Sequence, residues 1–466
     1  MPREFSRWRP RVSMVVLVLA VATTTWGTAH ALPDLYVAQA NNKTVAVLNT
    51  GNDFNEIATV NTQQDPTAFA VAPIGSPIYI ANSSSGTVTV MNVDNVVTGT
   101  IPVGADPDSI VFSPAGSAGY VASAGANDIS EIDVATSTVL QTIAVGDQPD
   151  GLAMTPDGSL LFVSNRGDGT VSVVSAPLAA SLLTIPVGKD PGAVLVSPRG
   201  FTVYVANAGS NSISVINRHE RKVITTIPVG NDPTGLALSP NGGVLYVSNS
   251  GSGTLTLIDT ATDSVEGTID LGGDPAGLAI SPSGAHLYAV EPGQNSVLVI
   301  STATRSITET LGPFAGPESI GSFVGPGDLI AIGGVYNSIE NTPSQNTLGC
   351  SDVLGRERDF QLLVPPIHGS VTIVPSSGLF TYVPDAGFSG EDAFSFICET
   401  VAGGPSPVSA PATVSIFVSY QNPNVSSSSS LGPLTLAGLA LGLAILGIRK
   451  RKTAPRTLKS QTDAPI

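Results

Sequence analysis

Val229 to Gly272 read VGNDPTGLALSPNGGVLYVSNSGSGTLTLIDTATDSVEGTIDLG, and the stretch before it, Val187 to Gly230, reads VGKDPGAVLVSPRGFTVYVANAGSNSISVINRHERKVITTIPVG. The two are copies of one unit, and each divides into four short strands. In the later copy a small first strand, GLALS, runs into Ser239-Pro240-Asn241-Gly242. Proline there pre-sets φ for the second turn position, and glycine closes the turn. The second strand is LYVSN. A Gly/Ser/Asn loop leads to a third, TLTLID, which alternates apolar and polar residues, and the fourth is VEGTIDL.

The unit recurs on both sides. A proline returns at Pro66, Pro107, Pro149, Pro191, Pro233, Pro275 and Pro317, with one step of 41 and five of 42. A second series, Pro73, Pro114, Pro156, Pro198, Pro240 and Pro282, keeps the same step. Four strands per unit at this period predict a β-propeller, in which radial repetition leaves few sheet edges exposed. Six full units start at Pro66 through Pro275. The segment before Pro66 offers three strands, beginning at Leu35, Thr44 and Glu56, and the segment after Pro317 offers one, SIGSFV. Three plus one make a seventh blade. The expected fold is all-β: a seven-bladed propeller over residues 32–330, with strands in 32–62 closed by 317–324.

Composition agrees. Of 466 residues, 42% are hydrophobic and 12% charged, which excludes a mainly disordered chain, and 49 Gly with 36 Pro argue against long helices. Residues 1–31 have the layout of a secretory signal peptide: Arg3, Arg7, Arg9 and Arg11, an apolar run from Met14 to Ala22, and Ala29-His30-Ala31 as cleavage site. At the other end, 420–430 is a Ser-rich linker and 431–448 holds eighteen residues without charge. At about 1.5 Å per residue these just cross a hydrocarbon core as a transmembrane or sorting helix. The basic tail 449–466 stays in the cytoplasm by the positive-inside rule. The expected location is therefore exported, at the cell membrane, cell surface or periplasm, single-pass. Between the two ends, residues 32–448 keep 10 basic and 34 acidic residues, a net of −24. That charge repels nucleic acid and anionic headgroups and suits divalent cations or basic partners.

The phrases IPVG-x-D-P-x-G-L-A-x-S-P-x-G, Tyr204-Val205-Ala206-Asn207 and Tyr246-Val247-Ser248-Asn249 resemble the bacterial YVTN β-propeller repeat family over roughly residues 32–330. The resemblance implies a propeller and export, and no particular reaction. Residues 331–419 break the 42-residue step. His368-Gly369-Ser370-Val371 and then Phe380, Tyr382, Pro384, Gly387, Phe388, Gly390, Asp392, Phe394 and Phe396 resemble the bacterial Ig-like or cadherin-like module, a β-sandwich used as stalk or adhesion unit. Both cysteines, Cys350 and Cys398, fall here. In an exported chain the pair points to one disulfide, with a reduced pair as the alternative that spacing leaves open.

Candidate ligand-binding residues come from the repeat. The residue before each proline is Asp65, Asp106, Gln148, Asp190, Asp232, Asp274 or Gly316, in loops around the expected channel mouth. Such carboxylates could bind Ca²⁺ or a basic segment; Asp-Pro also initiates turns by bonding its own backbone. Asn82, Asn165, Asn207 and Asn249 end the second strand, where Asn caps a loop or takes a left-handed conformation. Gln39, Ser123 and Glu291 replace it, and Glu291 could face the same mouth. No catalytic residue is assigned. His219, His286 and His368 lie away from the mouth, and zinc spacing, G-x-S-x-G, a Walker loop and CxxCH are missing. No cofactor beyond Ca²⁺ is implied. The expected function is a membrane-anchored binding or adhesion scaffold that presents a propeller face to an extracytoplasmic protein or surface ligand. The alternative is a lactonase-like hydrolase or lyase using mouth carboxylates with a basic residue such as Arg166 or Lys189.

Overall fold

The computed structural model describes residues 34–420, apart from 51–52, 74, 319, 322–328, 353–356, 402–408 and 410. The signal peptide read at 1–31 and the linker, helix and tail read from 421 on lie outside the described residues. Among the described residues no helix is long and apolar enough to cross a membrane.

Seven antiparallel sheets form a ring. Blades 2 to 7 each take four consecutive strands, as in blade 6: Pro233–Leu238, Val244–Asn249, Thr254–Asp259 and Ser264–Asp270. Blade 1 takes Asp34–Gln39, Thr44–Asn49 and Glu56–Asn61, and its innermost strand comes from the far end, Pro317–Glu318. Ala38 pairs with Glu318 and Gln39 with Pro317, so three N-terminal strands and one C-terminal strand do make the seventh blade. The closing segment is shared. Beyond residue 319, Ile320–Gly321 leaves blade 1 and runs parallel to Pro66–Val71, adding a fifth strand to blade 2. The first strands of successive blades touch one another in order, and that of blade 7 meets Ile320–Gly321, which completes the circle.

Packing explains the repeat's text. Second strands are buried throughout, and the tyrosines in them (Tyr79, Tyr120, Tyr204, Tyr246 and Tyr288) are at most 6% exposed. Fourth strands form the outer rim and are largely exposed. Alternation in the third strand does not mark a solvent face, because each blade is covered on both sides by its neighbours. The polar members, such as Ser172, Ser214 and Thr256, are at most 2% exposed and are hydrogen-bond partners of the recurring asparagine. Glycine is required where blades meet closely: a Cβ on Gly151 would lie 2.3 Å from the carbonyl oxygen of Gly192 in the next blade.

Leu329–Ile332 pairs with Gly349–Asp352, so the C-terminal domain begins before residue 331, and the last propeller strand among the described residues is Ile320–Gly321. This domain has three small sheets around Phe360, Phe380, Tyr382, Phe394, Phe396 and Cys398. Cys398 is bonded to Cys350, with a Cα–Cα distance of 6.5 Å. Buried Asp392 accepts the backbone N–H groups of Ile367 and His368 and the hydroxyl of Tyr382. The domain rests on the propeller. Arg218, in blade 5, pairs with buried Asp157 of blade 4 and, at 3.6 Å, with Glu391. Thr413 Oγ1 donates to the Pro198 carbonyl at 2.7 Å.

Candidate functional site

The residue before each repeat proline is first a turn residue. Asp65, Asp106, Gln148, Asp190 and Asp232 all have left-handed backbone, with φ between 47° and 54°. Their carbonyls accept the N–H that follows the second strand, as in Ala124 to Asp106 at 2.8 Å and Ala208 to Asp190 at 3.0 Å. Side chains are also engaged locally: Ser84 Oγ donates to Asp65, and Gly293 N–H donates to both oxygens of Asp274 at 3.0 Å. This arrangement satisfies the backbone of the loop between blades.

The asparagine ending four of the second strands is a buried clamp in extended backbone; Asn207, for example, has φ −110°. The left-handed residue comes four positions later, at Gly86, Asn211 and Gly253. Asn207 Nδ2 donates to Ser212 O and Ser214 Oγ, and its Oδ1 accepts Gly188 N–H at 3.0 Å. Glu291 occupies the same place in blade 7 and is 3% exposed. Ser296 Oγ donates to its Oε2 at 3.1 Å, and burial, then Asp274, raise its pKa.

The position after the proline varies from blade to blade. Round the ring it is occupied by Glu318, Thr67, Asp108, Asp150, Gly192, Thr234 and Ala276. Acids therefore stand only in blades 1, 3 and 4. Between blades 3 and 4, Asp106, Asp108, Gln148, Asp150 and Arg166 line a cavity of about 210 Å³. Arg166 comes from the loop after the second strand of blade 4, and its guanidinium is 3.5 Å from Asp150 Oδ2. Burial, reinforced by Asp150 and Asp106 and opposed by Arg166, pushes the Asp108 carboxyl up to about 7. Burial also raises Asp150, against the pull of Arg166, and the enclosing protein and Asp65 raise Glu318. The cavity thus holds carboxylates that resist full ionisation beside one guanidinium. It can accept a positive group, or exchange a proton near neutral pH.

Of the residues singled out from sequence, Asp106, Gln148 and Arg166 line this cavity, and Asp65, Lys189, Asp190, Asp232, Asp274 and Glu291 do not. Asp108, Asp150 and Glu318 escaped the sequence reading, although a column acidic in three blades and neutral in four was their signal. Among the described residues no three His, Cys, Asp or Glu side chains converge as metal ligands.

Fold and site define a seven-bladed propeller with an acidic cavity between blades 3 and 4. A family model described as "Lactonase, 7-bladed beta-propeller" matches residues 178–271, which run from the end of blade 4 through blade 6 and include none of the cavity residues. Among solved structures, hydrazine synthase of Kuenenia stuttgartiensis is 22% identical, with TM-score 0.51, over 55% of this chain and 88% of that one. A functionally unknown protein from Desulfotomaculum acetoxidans is 13% identical, with TM-score 0.56, over 62% and 98%. A Bacteroides fragilis protein provisionally described as a 6-phosphogluconolactonase is 16% identical, with TM-score 0.54, over 63% and 98%. These likenesses concern the fold. No curated protein matches the chain in sequence.

Proposed function

We propose that this chain is an exported, membrane-anchored binding or adhesion scaffold whose propeller mouth holds a basic group of an extracytoplasmic protein or surface ligand. The observation that carries the reading is the one-sided acidity of the position after the proline, which gathers Asp108 and Asp150 in one cavity. A feature kept only for turn geometry repeats in every blade, and this one does not. Export and anchoring are supported by the sequence patterns at 1–31 and 431–452 and agree with the Cys350–Cys398 disulfide. The YVTN-like repeat and the Ig-like or cadherin-like reading of the C-terminal domain fit a surface scaffold.

The test is binding of a Lys/Gly decapeptide to the full-length chain. Asp108→Asn with Asp150→Asn should weaken it about tenfold or more, and Asp190→Asn with Asp232→Asn should leave it unchanged. Equal losses from both pairs would reduce the effect to general acidity and overturn the assignment.

One observation favours a second reading, a lactonase-like hydrolase. A carboxyl held at about 7 beside Arg166 is suited to general acid–base work at neutral pH. On this reading a lactone panel gives turnover with an inflection near pH 7 that disappears in Asp108→Asn.

A further inference from the structure

We propose that the seam between blades 7 and 1 is a separate site for a small organic cation of the quaternary-ammonium type. A cleft of about 370 Å³ lies there, lined by Phe54, Glu56, Glu309 and Phe314 with Leu48 and Leu311. Four of these residues depart from the repeat at their own positions. Phe54 stands two before Glu56, and at the same place in the ladder register the other blades carry Asn95, Ser137, Ala179, Arg221, Asp263 and Arg305. All seven of these residues have positive φ, so the backbone of the turn is kept while an aromatic ring is inserted. Phe314 stands three before the repeat proline, where five of the six other blades have glycine: Gly104, Gly146, Gly188, Gly230 and Gly272. Glu56 replaces a column of Val97, Val139, Ser181, Val223, Val265 and Ile307. Glu309 replaces Ala58, Gly99, Gln141, Leu183, Thr225 and Gly267.

Two rings and two carboxylates unmatched elsewhere in the repeat thus converge on one cleft. Phe54 is half-buried and packs edge-on against Tyr288, at 6.1 Å between centroids, which holds its ring in place. Phe314 is 8% exposed and belongs to the same buried cluster as Leu48 and Leu311. Glu56 and Glu309 are exposed, and no Lys, Arg or His lines the cleft. Among the described residues neither carboxylate takes part in an ion pair. Aromatic faces attract a cation through the ring quadrupole, most strongly a weakly hydrated one, and nearby carboxylates add long-range attraction. An inorganic cation would keep its water and gain little from the rings. A quaternary ammonium suits both wall types.

The experiment titrates tetramethylammonium into the full-length chain, read by ligand-observed NMR, with tert-butanol as a neutral probe of similar shape. Saturable binding of the cation and none of the alcohol is expected. Phe54→Leu, which keeps the apolar filling and removes the π face, should weaken binding about fivefold or more. Glu309→Gln, on an exposed strand, tests the carboxylate without touching the core and should also weaken it. Asp94→Asn, an exposed carboxylate in neither site, should have no effect. Absence of saturable binding, equal binding of the alcohol, or affinity unchanged in both seam variants would overturn the proposal.

Discussion

Replacing Asp108 by Asn should stabilise the protein, and only above acidic pH. The native carboxyl is pushed up to about 7, against 3.8 ordinarily, because it is enclosed and faces Asp150 and Asp106. The unfolded chain therefore releases this proton about three pH units before the folded one. Below pH 4 both states hold it and the site costs nothing. From pH 4 to 7 the folded state binds more protons, so stability falls as pH rises, and above 7 the deficit is constant. At about 1.4 kcal/mol per unit the full deficit is about 4 kcal/mol, and solvent in the channel screens it to about 2–4 kcal/mol. Asparagine has no proton to lose. The difference between variant and wild type should open from near zero at pH 4 to on the order of 5 °C in Tm at pH 8 for a domain of this length. Differential scanning calorimetry at four pH values reads it, with the other carboxylates cancelling between the two proteins. Parallel Tm curves across the whole range would refute the reasoning, because they would mean that Asp108 ionises as freely in the ring as in the unfolded chain.

Asn207→Ala strands Ser212 O, Ser214 Oγ and Gly188 N–H in the interior, and chemical denaturation should show a loss of about 2–4 kcal/mol. Arg218→Ala leaves Asp157, whose side chain is 4% exposed, without its cation; the expected cost is about 3–5 kcal/mol. Glu391→Gln, at the wetter end of the same group, should cost less than about 1 kcal/mol in the same melts. Reducing the Cys350–Cys398 bridge, which closes a 48-residue interval, should lower the stability of the C-terminal domain by about 3–4 kcal/mol, seen as a lower-melting transition in reductant.

The propeller was legible because its spacing is rigid. A blade must return the chain to the hub after four strands, and Pro240 and Gly242 hold the same turn places from unit to unit. Ring closure was legible by counting strands, but the strand expected at SIGSFV is displaced: Pro317–Glu318 closes blade 1, and Ile320–Gly321 joins blade 2. The mouth was not, for a physical reason. The conspicuous aspartates before the prolines repeat because they serve the loop between blades, as left-handed residues at Asp65, Asp106, Asp190 and Asp232 and as an acceptor of Gly293 N–H at Asp274, so repetition there reports backbone. The chemistry sits two residues later, at Asp108 and Asp150, whose side chains line the cavity between blades 3 and 4. The clamp at Asn207 was misread in the same way: its partners, Ser212 and Ser214, lie across a hairpin and only pairing reveals them. The polar residues of the third strand look solvent-facing in sequence, since alternation cannot tell a sheet covered on one side from one covered on both.

The pairing of residues 38–39 with 317–318 has a consequence for how the molecule is made. The first blade to leave the ribosome is the last to be completed, because its hub strand is synthesised after the six other blades. Until then Asp34–Gln39 presents a bare edge that any extended segment can join, and closing it requires bringing together nearly the whole length of the ring. A circular permutant opened between blades 4 and 5 would carry the same contacts in the finished ring, yet each of its blades would be built from consecutive strands and no hub edge would wait. Folding yield, rather than stability, is where the natural position of the ends should matter.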